Sequence, residues 1–310
     1  MYSLIIVDYN SLEKSIAYTQ LCKQFLGAAG ASHVVIVENG APEQAEEQLS
    51  AAFGMPTQLQ LVQRAVNKYE ADGQTVLYCH TNENLGYARG NNLGVELAHA
   101  FWQDPFCIIS NNDLVFDGPP DLSLIDELFA ANPQVALIGP RVVTPTGEVQ
   151  SPRCWQSPFR RLIASYWLSA LRPILGQGLW EKYCNDTLAQ AESGPCDWIS
   201  GCFMFVRTDA FQKAGMFDPN TFLFAEEMIL SKRLEKIGSQ VYFCREVEVI
   251  HKHGQTVKKS IDVLRSITIE FQSNCYFYKQ YRGTSGFMLG LAKMSFWLFG
   301  ALFRCKNKGK

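Results

Sequence analysis

"FCIISNNDLVFD", residues 106–117, runs apolar, turns polar at Ser110, Asn111, Asn112 and Asp113, and runs apolar again. The first run is strand-length, and short amides with a carboxylate behind it form a turn, because Asn and Asp bond to their own main chain and tolerate left-handed angles. Turn chemistry alone accounts for these four residues; their surroundings give them a further meaning. Upstream, LIIVDY (4–9), HVVIVENG (33–40) and TVLYC (75–79) read as strands. Between them, SLEKSIAYTQLCKQFLG (11–27), expected to end at Gly27, and PEQAEEQLSAAFG (42–54) repeat their apolar residues at helical spacing. Residues 57–74 are ambiguous. YARGNNLGVELAHAFW (87–102) and DLSLIDELFAAN (121–132) read as helices, and VALIGP (135–140) as a strand. This alternation predicts an α/β fold, a mostly parallel sheet with helices on both faces, whose ligands sit at the carboxyl ends of the strands. The polar residues closing those strands become candidates together: Asp8 to Asn10, Glu38 to Gly40, and Ser110 to Asp113.

The second half is less regular. Residues 151–196 hold Pro, Trp, Arg and Tyr with helical pieces such as FRRLIASYWLSAL (159–171) and no strand signal. WISGCFMFV (198–206) then reads as a strand, EEMILSKRLEKIG (226–238) as a helix and VYFCREVEVIHKH (241–253) as extended chain. No Gly/Ser linker separates the halves, so one domain with an insertion near 151–196 is expected. With 310 residues, 47% of them hydrophobic, the chain can bury a large core. A net charge of -2 gives none of the basic field that nucleic-acid binding needs. The opening MYSLIIVDYN has no basic leader region, and the ten cysteines are scattered without a C-x-x-C pair. Buried free thiols in a reducing cytoplasm are the expectation.

Three constellations carry chemistry. His251 and His253 stand at i and i+2, one face of an extended chain, and with Asp113 they offer two imidazoles and a hard oxygen to one cation; solvated surface histidines are the alternative. Glu226 and Glu227 open an amphipathic helix behind FDPNTFLFA, where carboxylates favour the helix dipole and aromatic neighbours would raise one of them toward a useful general base. Gly86, Gly90 and Gly94 form a helix stripe that permits close packing on a sheet. They make neither the dinucleotide fingerprint nor a Walker loop, which weighs against NAD and ATP.

Taken in order, VDYNSLE, VENG, NENLGYARGNNLGVELA, SNNDLVFD, VALIGPRVVTPTGEVQSPR, WISGCFMFVRTDAFQKAGMFDPNTFLFAEEMILSKRLEKIG and VIHKHGQT resemble glycosyltransferase family 2, in particular its rhamnosyltransferase-like members. The resemblance implies a GT-A fold over residues 1–282, with a Rossmann-like nucleotide-binding half (1–118), an acceptor half (119–282), a helical insertion and C-terminal helices. It implies an inverting, metal-dependent transferase that uses a nucleotide sugar and Mg2+ or Mn2+. The donor would be dTDP-L-rhamnose, with UDP-hexoses as the alternative, and the acceptor a hydroxyl of a cell-surface glycan or lipid-linked sugar. By the same resemblance Asp113 and His251, with His253, hold the cation. Asp8, Asn10, Glu38, Asn84, Arg89 and Asn112 line the nucleotide-sugar pocket, and Glu227, with Glu226 as its rival, is the base. Glu227 stands where the family has Asp, Ile229 where Asp is common and Asn112 where Pro is frequent. A GT-A-like binding or assembly protein without turnover is the competing reading.

Residues 283–310 hold SGFMLGLAKMSFWLFGALF followed by RCKNKGK, nearly membrane-spanning in length but interrupted by Lys293. An interfacial helix with a basic tail at the inner face of the cytoplasmic membrane fits this composition better than a span. A helix packed on the core, or on a second copy in a homo-oligomer, fits it equally.

Overall fold

A computed structural model of the protein describes residues 1–41, 43–252 and 263–307. Its centre is β1 (Tyr2–Asp8), whose YSLIIVD sequence is buried almost throughout because the strand has parallel neighbours on both sides. These neighbours are β2 (His33–Glu38) and β6 (Phe106–Ser110). Helix α1 (Leu12–Ala31) joins β1 to β2. It breaks at Gly27, in a left-handed conformation, but resumes to Ala31, so the expected stop at Gly27 is a kink. Helix α2 (Ala45–Phe53) follows β2.

The ambiguous residues 57–74 form a hairpin that widens the sheet. β3 (Thr57–Leu61) and β4 (Arg64–Ala71) pair antiparallel, and β4 pairs antiparallel with β5 (Gln74–His80), itself parallel to β2. Helix α3 (Gly86–Trp102) returns the chain to β6. Its glycine stripe serves packing: a Cβ on Gly94 would lie 2.4 Å from Ile5 Cγ2, and one on Gly90 2.9 Å from Val7 Cγ1.

Beyond β6 come β7 (Leu114–Val115), α4 (Leu122–Ala131), β8 (Val135–Val143) and β9 (Val149–Ser151). The insertion contributes a π-helical turn (Arg160–Ala164), α5 (Ser165–Leu175), α6 (Gln177–Cys184) and a two-residue strand, β10 (Gly194–Pro195), which had no sequence signal and pairs with the sheet edge. The expected strand at 198–206 begins only at Phe203, as β11 (Phe203–Arg207). Then follow α7 (Thr208–Lys213), α8 (Glu226–Lys236), β12 (Gln240–His251), α9 (Val263–Gln280) and α10 (Gly286–Asn307). The strand order is β10-β12-β8-β11-β6-β1-β2-β5-β4-β3, with β7 beside β12 and β9 beside β8. Antiparallel β11 lies between β6 and β8, so the two halves share one continuous sheet. The nine described cysteines are free, most of them buried.

Candidate active site

Parallel strands β1, β2, β5, β6, β8 and β12 all end on one edge of the sheet. Asp8, Glu38, His80, Ser110 and His251 therefore reach that edge from distant parts of the chain. Antiparallel β11 starts there, which brings the preceding Ser200–Cys202 to the same place.

The first group is built on β1 and β2. Asp8 is fully buried; its Oδ1 accepts the Ser11 N–H (2.8 Å), and its Oδ2 accepts Ser11 Oγ (2.8 Å), the Ser15 hydroxyl and Asn112 Nδ2 (2.9 Å). Asn112 Nδ2 also reaches Ser15 Oγ at 2.7 Å. Asp8 and Asn112 thus tie the turn after β6 to the start of α1. Glu38 Oε1 accepts the Gly40 N–H (2.6 Å) and the Asn10 N–H (3.2 Å), while Asn10, itself left-handed, accepts the Ala41 N–H on its Oδ1. A Cβ on Gly40 would sit 2.2 Å from Asn10 Oδ1, so this crossing fits only glycine. Burial, with the Asp8 carboxylate beside it, pushes Glu38 up to about 8 against the pull of the two N–H groups. Its buried Oε2 receives no donor among the described residues, and a protonated Glu38 resolves this by donating to Asp8. Nearby, His80 Nε2 contacts the Gly40 carbonyl at 2.7 Å, and a cleft of about 390 Å³ opens between His80, Tyr78 and the β4 residues Arg64 and Asn67.

Asn84 and Arg89 connect to this group through Thr81 and Asn39: the Thr81 hydroxyl contacts the Glu38 and Glu83 carbonyls, and Asn39 Nδ2 donates to the Gly86 carbonyl. Asn84 Oδ1 accepts the Gly86 N–H (2.9 Å) and fixes the entry to α3, and Arg89 pairs with Glu83 at 2.8 Å near solvent. Gly86 is left-handed, and a Cβ there would meet the Phe222 carbonyl at 2.3 Å.

The second group joins Asp113 to His251. β7 pairs antiparallel with the end of β12, placing Leu114 opposite His251, and the Asp113 carbonyl accepts the Lys252 N–H. Asp113 Oδ1 lies 3.2 Å from His251 Nε2, and the other imidazole nitrogen contacts Gln150 Oε1 at 3.0 Å. Burial opposes charge on His251, but hydrogen bonds to the Asp113 carboxylate and the Cys202 sulfur outweigh it and lift the imidazole to about 10. His253, the other imidazole expected here, lies outside the described residues. Among the described residues no three His, Cys, Asp or Glu side chains converge as a complete cation cage. One carboxylate and one imidazole fit a hard divalent cation that takes its remaining oxygens from ligand phosphates and water.

The third group is Glu227 with the turn before β11. Glu227 is half-buried; its Oε1 accepts the Gly201 N–H at 3.0 Å, and its second oxygen makes no hydrogen bond to the described residues. The Tyr87 hydroxyl donates to the Gly201 carbonyl (2.5 Å), and a Cβ on Gly201 would lie 2.6 Å from Glu227 Oε1. The adjacent Asn111 N–H bonds to the Cys202 carbonyl (2.8 Å), so Ser200–Cys202 connects the Glu227 group to the Asp113–His251 pair. Glu226 differs in burial. It is buried with Oε1 unpartnered among the described residues, and burial, then the Glu227 charge, holds its carboxyl far above the ordinary range. The chain enters α8 through two consecutive left-handed residues, Phe224 and Ala225, each costing on the order of 1–3 kcal/mol. Asp218 anchors this segment, accepting Tyr276 Oη (2.8 Å), Tyr281 Oη (2.5 Å) and Asn220 Nδ2 (2.7 Å). Ile229 is fully buried in a cluster that includes Leu162, Trp198 and Phe271.

Tyr87, Gln150, Gly201 and Cys202 were not read from the sequence as site residues. A Ser-Gly pair between two apolar runs at 200–201 was the one available turn signal.

No protein-family model matches the chain. Two curated relatives, both N-acetylglucosaminyl-diphospho-decaprenol L-rhamnosyltransferases, from strains CDC 1551 / Oshkosh and ATCC 25618 / H37Rv of Mycobacterium tuberculosis, are each 29% identical over 196 residues. The match spans 61% of this chain and 61% of the relatives' length. Among solved structures, GalNAc-T7 with UDP, GalNAc and Mn2+ aligns with a TM-score of 0.57 at 13% identity, covering 90% of this chain and 49% of that one. The mannosyltransferase PcManGT from Pyrobaculum calidifontis, in complex with GDP-Man and Mn2+, aligns with a TM-score of 0.51 at 10% identity, covering 99% and 79%. The fold is GT-A, as expected, and the chain's resemblance to rhamnosyltransferases holds in its curated relatives.

Proposed function

We propose that the protein is an inverting glycosyltransferase that moves a sugar, L-rhamnose from dTDP-L-rhamnose, to a hydroxyl of a lipid-linked glycan at the cytoplasmic face of a membrane. The observation that carries this reading is the Ser200–Cys202 turn, which links Glu227, with one oxygen unengaged among the described residues, to the facing Asp113 and His251. The similarity to rhamnosyltransferases whose name specifies a diphospho-decaprenol-linked acceptor supports the donor and acceptor class.

In this scheme Glu38, Asn10 and the Gly40 backbone receive the nucleobase, and Asp8 and Asn112 keep the turn after β6 in position. Glu227 takes the proton from the acceptor hydroxyl, its orientation fixed by the Gly201 N–H, while the hydroxyl attacks the anomeric carbon in one displacement and the nucleoside diphosphate leaves. Asp113 and His251 would hold a Mg2+ or Mn2+ ion, which supplies charge neutralisation for the departing diphosphate. Glu226, buried and protonated, keeps a second charge away from the base.

Transfer itself is the test. The protein is incubated with Mn2+, polyprenyl-diphospho-GlcNAc and either dTDP-L-rhamnose or a UDP-hexose, and the product is read by mass spectrometry and NMR. A rhamnosyl product of inverted configuration is expected. Transfer only from a UDP-hexose moves the donor to the alternative, a retained configuration removes the single displacement, and nucleotide binding without transfer favours the non-catalytic reading.

A further inference from the structure

The insertion and the C-terminal helix leave an unusual surface. Eleven of the eighteen large apolar side chains exposed among the described residues lie in residues 159–182 and 263–307. On α10, Leu289, Ala292 and Phe299 are buried and Phe296 stacks on Phe271 at 4.0 Å, so one face is docked on the fold. The opposite face is not: Phe287 is 78% exposed, Trp297 69% and Leu302 60%. Residues 286–304 are long and apolar enough to cross a membrane, yet the helix is fixed along its side to the protein. That arrangement suits a helix lying in an interface rather than spanning it.

A second strip continues the first. On α5, Trp167, Leu171 and Ile174 recur at i, i+4 and i+7, one helix face, and Ile174 is 80% exposed. Trp167 Nε1 donates to Ser295 Oγ at 2.8 Å, and Ser295 shares its side of α10 with Leu298 and Leu302. The bond therefore joins the two apolar strips where they meet. Both helices also carry exposed cations, Arg172 on α5, its guanidinium over the Trp180 ring at 5.0 Å, and Lys293 and Arg304 on α10. The two segments hold ten Lys and Arg against two acidic residues, while the whole chain has 28 against 30, leaving 18 against 28 elsewhere. An apolar surface on two segments rich in Lys and Arg, on an otherwise acidic protein, is complementary to a bilayer with anionic headgroups.

We infer that α5 of the insertion and α10 together form a two-strip platform that seats the protein on an anionic lipid surface, with Ile174 and Trp297 entering the headgroup layer and Arg172, Lys293 and Arg304 meeting the headgroups. This deepens the lipid-linked acceptor reading of the function, but it stands on separate residues, so either can fail alone. The test is flotation of the full chain with phosphatidylglycerol-containing or pure phosphatidylcholine vesicles, for wild type, Ile174→Asp, Trp297→Asp and Lys293→Glu/Arg304→Glu. Wild type is expected to float with the anionic vesicles only, and less at high salt; each variant is expected to lose at least tenfold in partitioning while keeping its melting temperature and its shift with nucleotide and Mn2+. Indifference of the wild type to anionic vesicles overturns the platform. Loss in Trp297→Asp but not Ile174→Asp removes α5 from it. A wild-type dimer in light scattering that both Asp variants dissociate, without lipid binding, assigns the surface to a second copy instead. Failure of glycosyl transfer with lipid binding intact would reject the enzymatic reading alone.

Discussion

Asp113 and His251 face each other at 3.2 Å, although one closes a turn in the first half of the chain and the other ends the last strand. They meet because β7 folds back beside β12, and Gln150 holds the far side of the imidazole. Asp113→Ala is expected to abolish the Mn2+-dependent part of the thermal shift given by a nucleoside diphosphate. Gln150→Leu, which leaves both proposed ligands in place, is expected to weaken Mn2+ binding by on the order of 10–100-fold, measured by titration calorimetry. A nucleotide shift that ignores Mn2+ in the wild type would count against this pair as the cation site.

The two adjacent glutamates separate by environment. Glu227→Gln keeps an acceptor for the Gly201 N–H but cannot take a proton, and a loss of about 10²–10⁴ in kcat is expected with KM little changed. Glu226→Gln replaces a protonated acid by its neutral isostere and is expected to leave kcat within a few-fold. Steady-state kinetics on both variants decides the base, and the reverse ranking would exchange their roles.

Glu38 makes stability depend on pH. Its folded value, about 8, lies above the ordinary 4.5, so the native state holds a proton that the unfolded chain has released. The stabilisation is complete below about 4.5 and is lost as pH climbs through 8, at about 1.4 kcal/mol per unit of separation. Melting temperatures between pH 5.5 and 8.5 are expected to fall in the wild type and to fall less steeply in Glu38→Gln, where the raised Glu226 and His251 still contribute.

Placing at position 229 the Asp that is common in the glycosyltransferases this sequence resembles is expected to harm this protein. Ile229 is fully buried among apolar side chains, so Ile229→Asp should cost about 3 kcal/mol or more, against about 0.5–1.5 kcal/mol for Ile229→Val. Urea unfolding of the two variants checks the difference.

Much of this arrangement was legible in the sequence because parallel strands, covered on both faces, are continuous apolar runs that stop abruptly at polar residues. Asp8, Glu38 and Ser110 stop such runs, and they do end strands at one edge. The β3–β4 hairpin was not readable because its tight turn uses Val62 and Gln63, both left-handed, in place of the Asn-Gly pair that signals such a turn. Asp72-Gly73, at the next turn, did carry that signal. Gly201 and Tyr87 reach the site through tertiary contacts, one before an antiparallel strand and the other on α3, and no local period encodes such meetings. Arg89 pairs with Glu83 near solvent, a partner that no local period encodes.

The insertion of β11 between β6 and β8 has a consequence for how the molecule melts. Neither half can keep its sheet edges paired without the other, so cutting the chain near residue 118 would expose the backbone of β6 on one fragment and of β11 on the other. One cooperative transition is the natural outcome, and a nucleotide seated over β1 and β2 would protect amides in β8 and β12 from hydrogen exchange as fully as those beneath it.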